Sequence, residues 1–470
     1  MKILMVASEA NPFAKTGGLA DVLGALPAAL QARGEQTAVV IPAYGQNRYP
    51  NEPSVAYRGL WVPIGRGYLV DIHQTTERGV TFYFVYCPPL FDRDGIYGGG
   101  GADYPDNYIR FAVLSMAAVG VARYLFRPQI IHVHDWQAAL TPVYIRRHFA
   151  DDPTFSGVKI LFTIHNLGYQ GIFGPEAVPL IGLDSRLFNP AHLEFFGKLN
   201  LMKGGIAFAD AVSTVSKGYA REIQTPEYGF GLDGFLHQHG PIYGIVNGVD
   251  YVEWNPEHDP FIARNYSVDD LSGKRECKRA LLEELGLTSD DPKRPLLGIV
   301  SRFAAQKGID LIAEIASRLL EQDVQLAVLG SGDPPYESMF QRLREAYPDQ
   351  VAVRIGYDNA LSHRIEAGAD MFLMPSHYEP CGLSQIYSLR YGTIPVVRAT
   401  GGLDDTIDEG TGFKFRDYSG EALLDALSTA LRAFGDRDCW VAMMRRGMQK
   451  DFSWSSTAVE YLALYQRLLG

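Results

Sequence analysis

The sequence predicts an α/β protein with two domains, each built around a parallel β-sheet. Short apolar runs rich in β-branched residues alternate with longer helical patterns along the chain, which is the pattern of βαβ units. The chain has 470 residues, more than one ordinary domain holds. The hexapeptide Thr-Gly-Gly-Leu-x-Asp occurs near each end, at residues 16–21 and 400–405, each time between a strand-like run and a helical pattern. These observations favour two domains of similar construction.

The predicted strands form two groups. In the first half of the chain they are residues 3–7, 38–41, 81–86, 130–133, 158–164 and 211–215. In the second half they are residues 296–300, 324–329, 351–355, 371–374 and 394–397.

A turn signal separates the two groups of strands. Residues 247–250 read Asn-Gly-Val-Asp, and a polar stretch follows them. We place a hinge there, which predicts an N-terminal domain of residues 1–248 and a C-terminal domain of residues 249–452. Residues 453–470 predict one more helix, because Ser453 can cap it and its apolar positions fall on one face. That face needs a surface to pack on.

The composition argues against several classes of partner and site. The formal net charge is -11, which disfavours nucleic acid and an anionic membrane as partners. The cysteines are far apart, with no Cys-x-x-Cys pair, so we expect neither a zinc site nor a disulfide framework. They are Cys87, Cys277, Cys381 and Cys439. The first apolar run ends at Glu9, too early for a signal peptide, and no stretch approaches the roughly 18 apolar residues of a membrane span. We therefore expect a cytoplasmic protein. The sequence identifies no protein partner.

The two Gly-Gly turns are candidate anion sites. Glycine lets the backbone approach a ligand closely, and the amides at the start of the following helix present the positive end of its dipole. A tight turn without a ligand is the alternative for either copy. Because both copies follow predicted strands, together they favour binding of a phosphate or a sugar by each domain.

Further candidate residues follow strands of the C-terminal group. Arg302 and Lys307 come after the strand 296–300, at the carboxyl end where doubly wound sheets bind ligands. The two cations suit a diphosphate, and two solvated side chains are the alternative. Glu379 lies between the strand 371–374 and a predicted helix. There its carboxylate can accept hydrogen bonds from sugar hydroxyls or merely cap the helix.

Two segments contain residue types that bind metals. His132 and His134 share one side of a predicted strand and Asp135 follows, but the pattern assures no third ligand on that side. Asp92 and Asp94 form an Asp-x-Asp sequence in a Gly-rich loop with a cation between them, which favours a solvated turn. We expect neither a metal nor a cofactor.

Several segments together resemble the family of bacterial glycogen synthases and plant starch synthases. They occur in family order along nearly the whole chain, and the first and the Glu-Pro-Cys-Gly-Leu block are highly specific. The segments are Lys-Thr-Gly-Gly-Leu-Ala-Asp-Val at 15–22, His-Asp-Trp at 134–136, His-Asn-Leu at 165–167, Asn-Gly-Val-Asp at 247–250, Arg302 with Lys307, Glu-Pro-Cys-Gly-Leu at 379–383 and Thr-Gly-Gly-Leu at 400–403. Many related retaining transferases carry a second Glu eight residues after the first, where this chain has Tyr387. That difference favours the synthase family.

The resemblance implies a GT-B fold, with two Rossmann-like domains facing an interdomain cleft and a last helix that packs back on the first. It also implies a retaining glucosyltransferase that moves glucose from ADP-glucose to the nonreducing 4-hydroxyl of an α-1,4-glucan such as glycogen. The C-terminal domain would hold the nucleotide sugar, and the N-terminal domain the acceptor. Two alternatives stay open: a transferase of this fold with another nucleotide-sugar donor or a small sugar acceptor, and a noncatalytic regulator that binds glucan or nucleotide.

The resemblance also implies roles for single residues. It assigns the diphosphate to Arg302, Lys307, Thr400, Gly401 and Gly402, the donor glucose to Glu379, Cys381, Gly382 and Leu383, and adenine to Tyr357. In the first domain it assigns the closed donor site to Lys15, Gly17 and Gly18, the transferred glucose to His165 and Asn247, and the acceptor to Asp135 and Tyr97. The catalytic group would be Glu379, Lys307, Arg302 and His165.

Overall fold

A computed structural model describes residues 1–287 and 294–470 of the chain. The described residues form two compact units, each with its own large sheet. The first unit contains Met1–Val215, Ala220–Gly248 and Trp454–Gly470. The second contains Ser216–Tyr219 and Val249–Ser453. The chain therefore returns to the first unit after completing the second.

The first unit is built on a nine-stranded sheet. In spatial order its strands are Ile242–Gly244, Ala211–Thr214, Lys159–Ile164, Ile130–His134, Lys2–Val6, Gln36–Pro42, Val80–Tyr86, Tyr68–Glu77 and Ser54–Val62. The strands from Ile242–Gly244 to Val80–Tyr86 pair in parallel, and the last two add by antiparallel pairing. Short strands lie outside this sheet. Gly98–Gly99 pairs with Ala102–Asp103, and a three-stranded antiparallel sheet contains, in spatial order, Ile172–Phe173, Lys198–Asn200 and Glu194–Phe195.

The predicted strands of the first half are all present, but the antiparallel hairpin was not predicted. The central parallel strands are buried on both faces, so they are continuous apolar runs that stand out in the sequence. Tyr68–Glu77 reads YLVDIHQTTE and is mostly half-buried. Its polar residues are half-buried or exposed, so the sequence has no continuous apolar run from which this strand could be predicted.

Helices cover the sheet of the first unit. They are Gly18–Gln31, Pro88–Phe91, Asn107–Val121, Asp135–Ala138, Leu140–His148, Ala177–Leu180, Leu201–Ala207, Asp233–His239 and Trp454–Leu469, with Lys217–Glu222 divided between the units. Single turns of 3₁₀-helix lie at Pro153–Phe155 and Ser185–Leu187, and a π-helical turn at Ala122–Phe126.

The sequence predicts no stretch that is long and apolar enough to span a membrane, and one helical segment contradicts this prediction. Asn107–Phe126 has 20 residues and a mean hydropathy of 1.5, so it passes that test by length and composition. However, 67% of its apolar window is buried inside the unit, where Phe111, Leu114 and Ala118 are almost inaccessible to solvent. A core helix has the same composition as a membrane span, and this segment occupies the position of a core helix.

The last helix completes the core of the first unit. Trp454–Leu469 buries Trp454, Ala458, Tyr461 and Tyr465, and packs against the helix Gly18–Gln31. The apolar face read from the sequence is therefore the face that is buried.

The second unit has a six-stranded sheet in which every pairing is parallel. Its strands, in spatial order, are Val351–Ile355, Gln325–Gly332, Leu296–Phe303, Met371–Met374, Ile394–Arg398 and Phe413–Phe415. Its helices are Ser272–Leu285, Ile309–Leu320, Pro334–Ala346, Asn359–Gly368, Ser384–Arg390, Gly401–Thr406, Gly420–Phe434 and Arg437–Met448. The alternation of strand and helix is the predicted βαβ pattern, and only Phe413–Phe415 was missed.

Candidate functional site

A tight turn presents Lys307 at the carboxyl end of the central strand of the second unit. The strand Leu296–Phe303 leads into a 3₁₀ turn at Ala305–Lys307, and Gly308 then starts the next helix in the left-handed conformation, with φ at 68°. A Cβ atom on Gly308 would lie 2.0 Å from the carbonyl oxygen of Pro375. Only glycine allows this close packing, which places the turn against the neighbouring strand end.

Lys307 forms an ion pair with Glu379. The Lys307 ammonium donates a hydrogen bond of 2.7 Å to Oε2 of Glu379, and the Ser376 hydroxyl donates to the same oxygen at 3.0 Å. Glu379 is 5% exposed. A buried carboxylate needs such partners, because an unpaired charge there is strongly unfavourable. The predicted diphosphate cation and the predicted sugar carboxylate are thus brought together in one cluster.

The backbone around Glu379 is tied to the turn that carries Lys307. The His377 amide donates to the Gln306 carbonyl at 2.8 Å, and the Gln306 side-chain amide donates to the Tyr378 carbonyl at 3.2 Å. Because bonds run in both directions, the two loops hold each other in place.

The Gly-Gly turn of the second unit packs against the segment that follows Glu379. The Gly402 amide donates to the Glu379 carbonyl at 3.0 Å, and a Cβ on Gly402 would lie 2.0 Å from the Cys381 carbonyl oxygen. Gly382 and Gly401 both have positive φ angles, of 70° and 46°. The structure therefore brings residues 379–383 and 400–402 together, as the predicted donor site requires.

A cavity of about 190 Å³ lies at this edge of the sheet. Its polar lining includes Ser301, Arg302, Lys307, Ser376 and Ser384. Arg302 is exposed beside Lys307, so both cations predicted from the sequence border one space. Tyr357, after the strand Val351–Ile355, is 86% exposed and does not line this cavity.

In the first unit, Asp135 and His165 are in direct contact. Asp135 begins a short helix with φ at 56° and accepts a hydrogen bond of 2.7 Å from the His165 amide. Burial raises the pKa of Asp135 to about 7 and lowers the pKa of the His165 imidazole to about 3. His165 is therefore neutral at physiological pH.

Tyr97 contacts a glutamate that sequence reasoning missed. The Tyr97 hydroxyl donates to Oε1 of Glu9 at 2.7 Å, and the Thr16 hydroxyl donates to the same oxygen at 2.9 Å. Burial raises the pKa of Glu9. Glu9 fastens the start of the first Gly-Gly turn to Tyr97. Its position just after the strand Lys2–Val6 was the available signal.

The remaining predicted residues of the first unit differ in exposure. Lys15 is exposed and pairs with Asp21 at 2.6 Å. Gly17 and Gly18 are exposed at the start of the helix Gly18–Gln31. Asn247 is 5% exposed, and its side-chain oxygen has no hydrogen-bond partner among residues 1–287 and 294–470.

The two metal-like segments have other contacts. His132 bonds Tyr465 and Thr163 through its two ring nitrogens, and the cation of the Asp-x-Asp loop, Arg93, pairs with Asp106 at 2.7 Å. Within the part of the chain that the structure describes, no group of three His, Cys, Asp or Glu side chains is placed to hold a metal ion.

Comparisons with known proteins show the family and the fold of the chain. A family model described as starch synthase catalytic domain matches residues 2–238, and one described as glycosyl transferases group 1 matches residues 288–440. The chain is 52% identical to glycogen synthase of Koribacter versatilis (strain Ellin345), covering 99% of this chain and 98% of that protein. It is 48% identical to glycogen synthase of Anaeromyxobacter dehalogenans (strain 2CP-C), covering 100% of both. The solved catalytic domain of starch synthase IV from Arabidopsis thaliana, bound to ADP and acarbose, superposes with a TM-score of 0.89 at 34% identity and covers 99% of both chains.

Proposed function

Because the chain belongs to the glycogen synthase and starch synthase family, with the GT-B fold, it is a glucosyltransferase of α-glucan synthesis, and we propose that its donor is ADP-glucose. It transfers glucose to the nonreducing 4-hydroxyl of an α-1,4-glucan with retention at the anomeric carbon. The observation that carries the proposal is the cavity bordered by Arg302 and Lys307, together with the ion pair of 2.7 Å that joins Lys307 to Glu379. ADP bound to the related starch synthase supports an adenine nucleotide as the leaving group.

The cluster provides both kinds of stabilisation that this reaction needs. Breaking the glucosyl–phosphate bond builds negative charge on the departing diphosphate, which Arg302 and Lys307 stabilise. The amides of Thr400 and Gly402, predicted from the resemblance to join them, instead donate to the carbonyls of Arg398 and Glu379 at 2.9 and 3.0 Å. The sugar becomes oxocarbenium-like, and the carboxylate of Glu379 binds a hydroxyl while favouring positive charge nearby. The glucan hydroxyl attacks from the face that the diphosphate leaves, and the departing phosphate accepts its proton. Cys381, Gly382 and Leu383 contribute backbone amides to the donor glucose.

Other assignments stay predictions of the resemblance. They are Lys15, Gly17, Gly18, Asn247 and His165 on the donor side, Tyr357 at adenine, and Asp135 with Tyr97 at the acceptor. The cytoplasmic location also stays a prediction.

A donor comparison tests the proposal directly. ADP-glucose and UDP-glucose are offered separately with glycogen, and incorporation of labelled glucose is measured. We expect glucan growth with ADP-glucose at a kcat/KM well above that with UDP-glucose. A preference for UDP-glucose would contradict the proposed donor, and transfer only to a small sugar would contradict the proposed acceptor. Neither result would bear on the fold. No transfer at all would favour a noncatalytic regulator.

We expect turnover to survive exhaustive treatment with EDTA. Lys307 and Arg302 already supply the positive charge that a metal would otherwise bring to the diphosphate. Activity is measured before and after chelation with the same donor. If activity is lost on chelation and Mg²⁺ or Mn²⁺ restores it, the reaction needs a metal, which contradicts the prediction. Asp92 and Asp94 would then be the candidate metal ligands.

Glu379→Gln is expected to lower kcat sharply while ADP affinity barely changes, since ADP lacks the glucose that Glu379 contacts. Kinetics with ADP-glucose and calorimetry with ADP measure the two effects. Glu366→Gln is the matched control, because Glu366 is a second buried carboxyl in this unit and burial raises its pKa to about 8. If Glu379→Gln weakens ADP and ADP-glucose equally with kcat near wild type, the carboxylate has only a structural role.

A further inference from the structure

His134 lies between two other histidines in the first unit. His132 and His134 lie on the strand Ile130–His134, and His165 follows the strand Lys159–Ile164. The ring centroids of His132 and His134 are 4.0 Å apart, and those of His134 and His165 are 5.2 Å apart. His132 and His134 are fully buried, whereas His165 is partly exposed. The three imidazoles thus form a row that begins in the core at His132 and ends at His165, a predicted site residue.

The inner end of this row is anchored on both ring nitrogens. His132 Nδ1 lies 2.7 Å from the Tyr465 hydroxyl, and His132 Nε2 lies 2.6 Å from the Thr163 hydroxyl. Thr163 in turn lies 2.6 Å from the Ser213 hydroxyl. A ring held at both nitrogens cannot rotate without breaking buried hydrogen bonds. The ring of His134 therefore packs against a His132 ring whose orientation is fixed.

Among the described residues, the side chain of His134 has one hydrogen-bond partner, His165. Nδ1 of His134 lies 3.0 Å from Nε2 of His165. Nε2 of His134 is buried, and no donor or acceptor among the described residues reaches it. Burial lowers the pKa of both rings, so each imidazole carries one proton.

These contacts distinguish the two possible tautomers of the pair. In one, His134 carries its proton on Nδ1 and donates it to His165 Nε2, and a lone pair is left at the buried Nε2 of His134. In the other, His165 donates, and His134 keeps an N–H in a position that offers no protein acceptor. A buried N–H without an acceptor is the rarer and costlier arrangement. The first tautomer is therefore favoured, and it leaves the proton of His165 on Nδ1.

We propose that His134 is a positioning residue that holds His165 as the Nδ1–H tautomer with a fixed ring orientation. His165 then presents Nδ1–H as a hydrogen-bond donor to a substrate hydroxyl, because its Nε2 is already occupied by His134. This inference rests on the proposed function only in that the group accepting the hydrogen bond from His165 is a substrate hydroxyl. The tautomer itself is a property of the protein alone.

The tautomer is measured in the wild-type protein without substrate. Long-range ¹H–¹⁵N spectra of protein labelled with ¹⁵N-histidine distinguish a protonated Nδ1 from a protonated Nε2. The chain has 11 histidines, so the His165 signals are assigned by their loss in His165→Gln. We expect a proton on Nδ1 of His165, and a proton on Nε2 would overturn the proposal.

Two substitutions at His134 separate positioning from packing. His134→Phe fills the space but donates nothing, whereas His134→Asn keeps an N–H near the position of Nδ1. We expect His134→Phe to remove the Nδ1–H preference of His165 and to lower kcat by about 10- to 100-fold, by analogy with the loss of a group that orients a metal-ligating histidine. His134→Asn is expected to restore the tautomer and most of kcat. Equal tautomer and kcat in His134→Phe and wild type would overturn the proposal.

Tyr465→Phe provides the control for disturbance of the core. It removes a hydrogen bond from His132 and leaves the contact between His134 and His165 in place. We expect a lower melting temperature with His165 still protonated on Nδ1. If His134→Phe does not fold, the spectra of the wild-type protein and of His134→Asn still test the proposal, because both are expected to show the His165 proton on Nδ1. An Nδ1–H signal in an enzyme that transfers no glucose would contradict the proposed function and leave the positioning role intact.

Discussion

Replacing Lys307 with alanine is expected to lower kcat by about 10²- to 10³-fold, or roughly 3 to 4 kcal/mol, with a smaller rise in the KM for ADP-glucose. The ammonium of Lys307 borders the cavity and contacts Glu379 at 2.7 Å. A fixed positive charge at this position stabilises the diphosphate more as its negative charge grows. The loss therefore falls on the transition state rather than on donor binding. Steady-state kinetics with glycogen in excess measure both constants.

The matched control is Lys450→Ala. Lys450 also forms an ion pair in the second unit, with Asp408 at 2.7 Å, but it does not line the cavity. We expect its kcat to stay near wild type. Because Lys307→Ala leaves the buried Glu379 without its cation, melting curves show whether lost activity reflects unfolding. A raised KM with unchanged kcat would mean that Lys307 only binds the donor.

Gly308→Ala is expected to destabilise the second unit by about 2 to 5 kcal/mol. Part of the loss comes from the left-handed φ of 68°, which an alanine adopts at a cost of about 1 to 2 kcal/mol. The rest comes from the added Cβ, 2.0 Å from the Pro375 carbonyl oxygen, because overpacking of this kind costs about 1 to 3 kcal/mol. The turn must move away from Pro375, which also displaces Lys307. Thermal unfolding and kcat measure the two consequences.

Gly286→Ala separates the clash from the backbone strain. Gly286 has nearly the same φ, 70°, but an added Cβ would meet no atom of the described residues within 4 Å. We expect only the strain part of the stability loss there, with normal kcat. Similar melting temperatures for the two variants would show that the contact with Pro375 relaxes easily.

The fold was predicted well where the sequence signal is local. Strands such as Leu296–Phe303 are buried on both faces, so their apolar runs are continuous. The hairpin strand Tyr68–Glu77 has an exposed face, and its Asp, His, Gln and Thr residues conceal it. A short strand such as Phe413–Phe415 has too few residues to show any period.

The candidate site was predicted through single residues, and its contacts were not. Lys307 and Glu379 are separated by 72 positions in sequence, so only the folded sheet shows that they form an ion pair. Glu9 was missed because an isolated carboxylate after a strand has many ordinary explanations. The contact between His134 and His165 links two strands through ring geometry, which spacing in the sequence does not encode.

The order of the chain has a consequence for synthesis on the ribosome. The helix Trp454–Leu469 belongs to the core of the first unit, although it is synthesised after the whole of the second unit. Until this helix has been synthesised, the side of the helix Gly18–Gln31 that it packs against stays uncovered. The first unit to emerge is thus the last to be finished. A nascent chain stalled before residue 454 should therefore bind chaperones that recognise exposed apolar surface, and release of the full chain should end that binding.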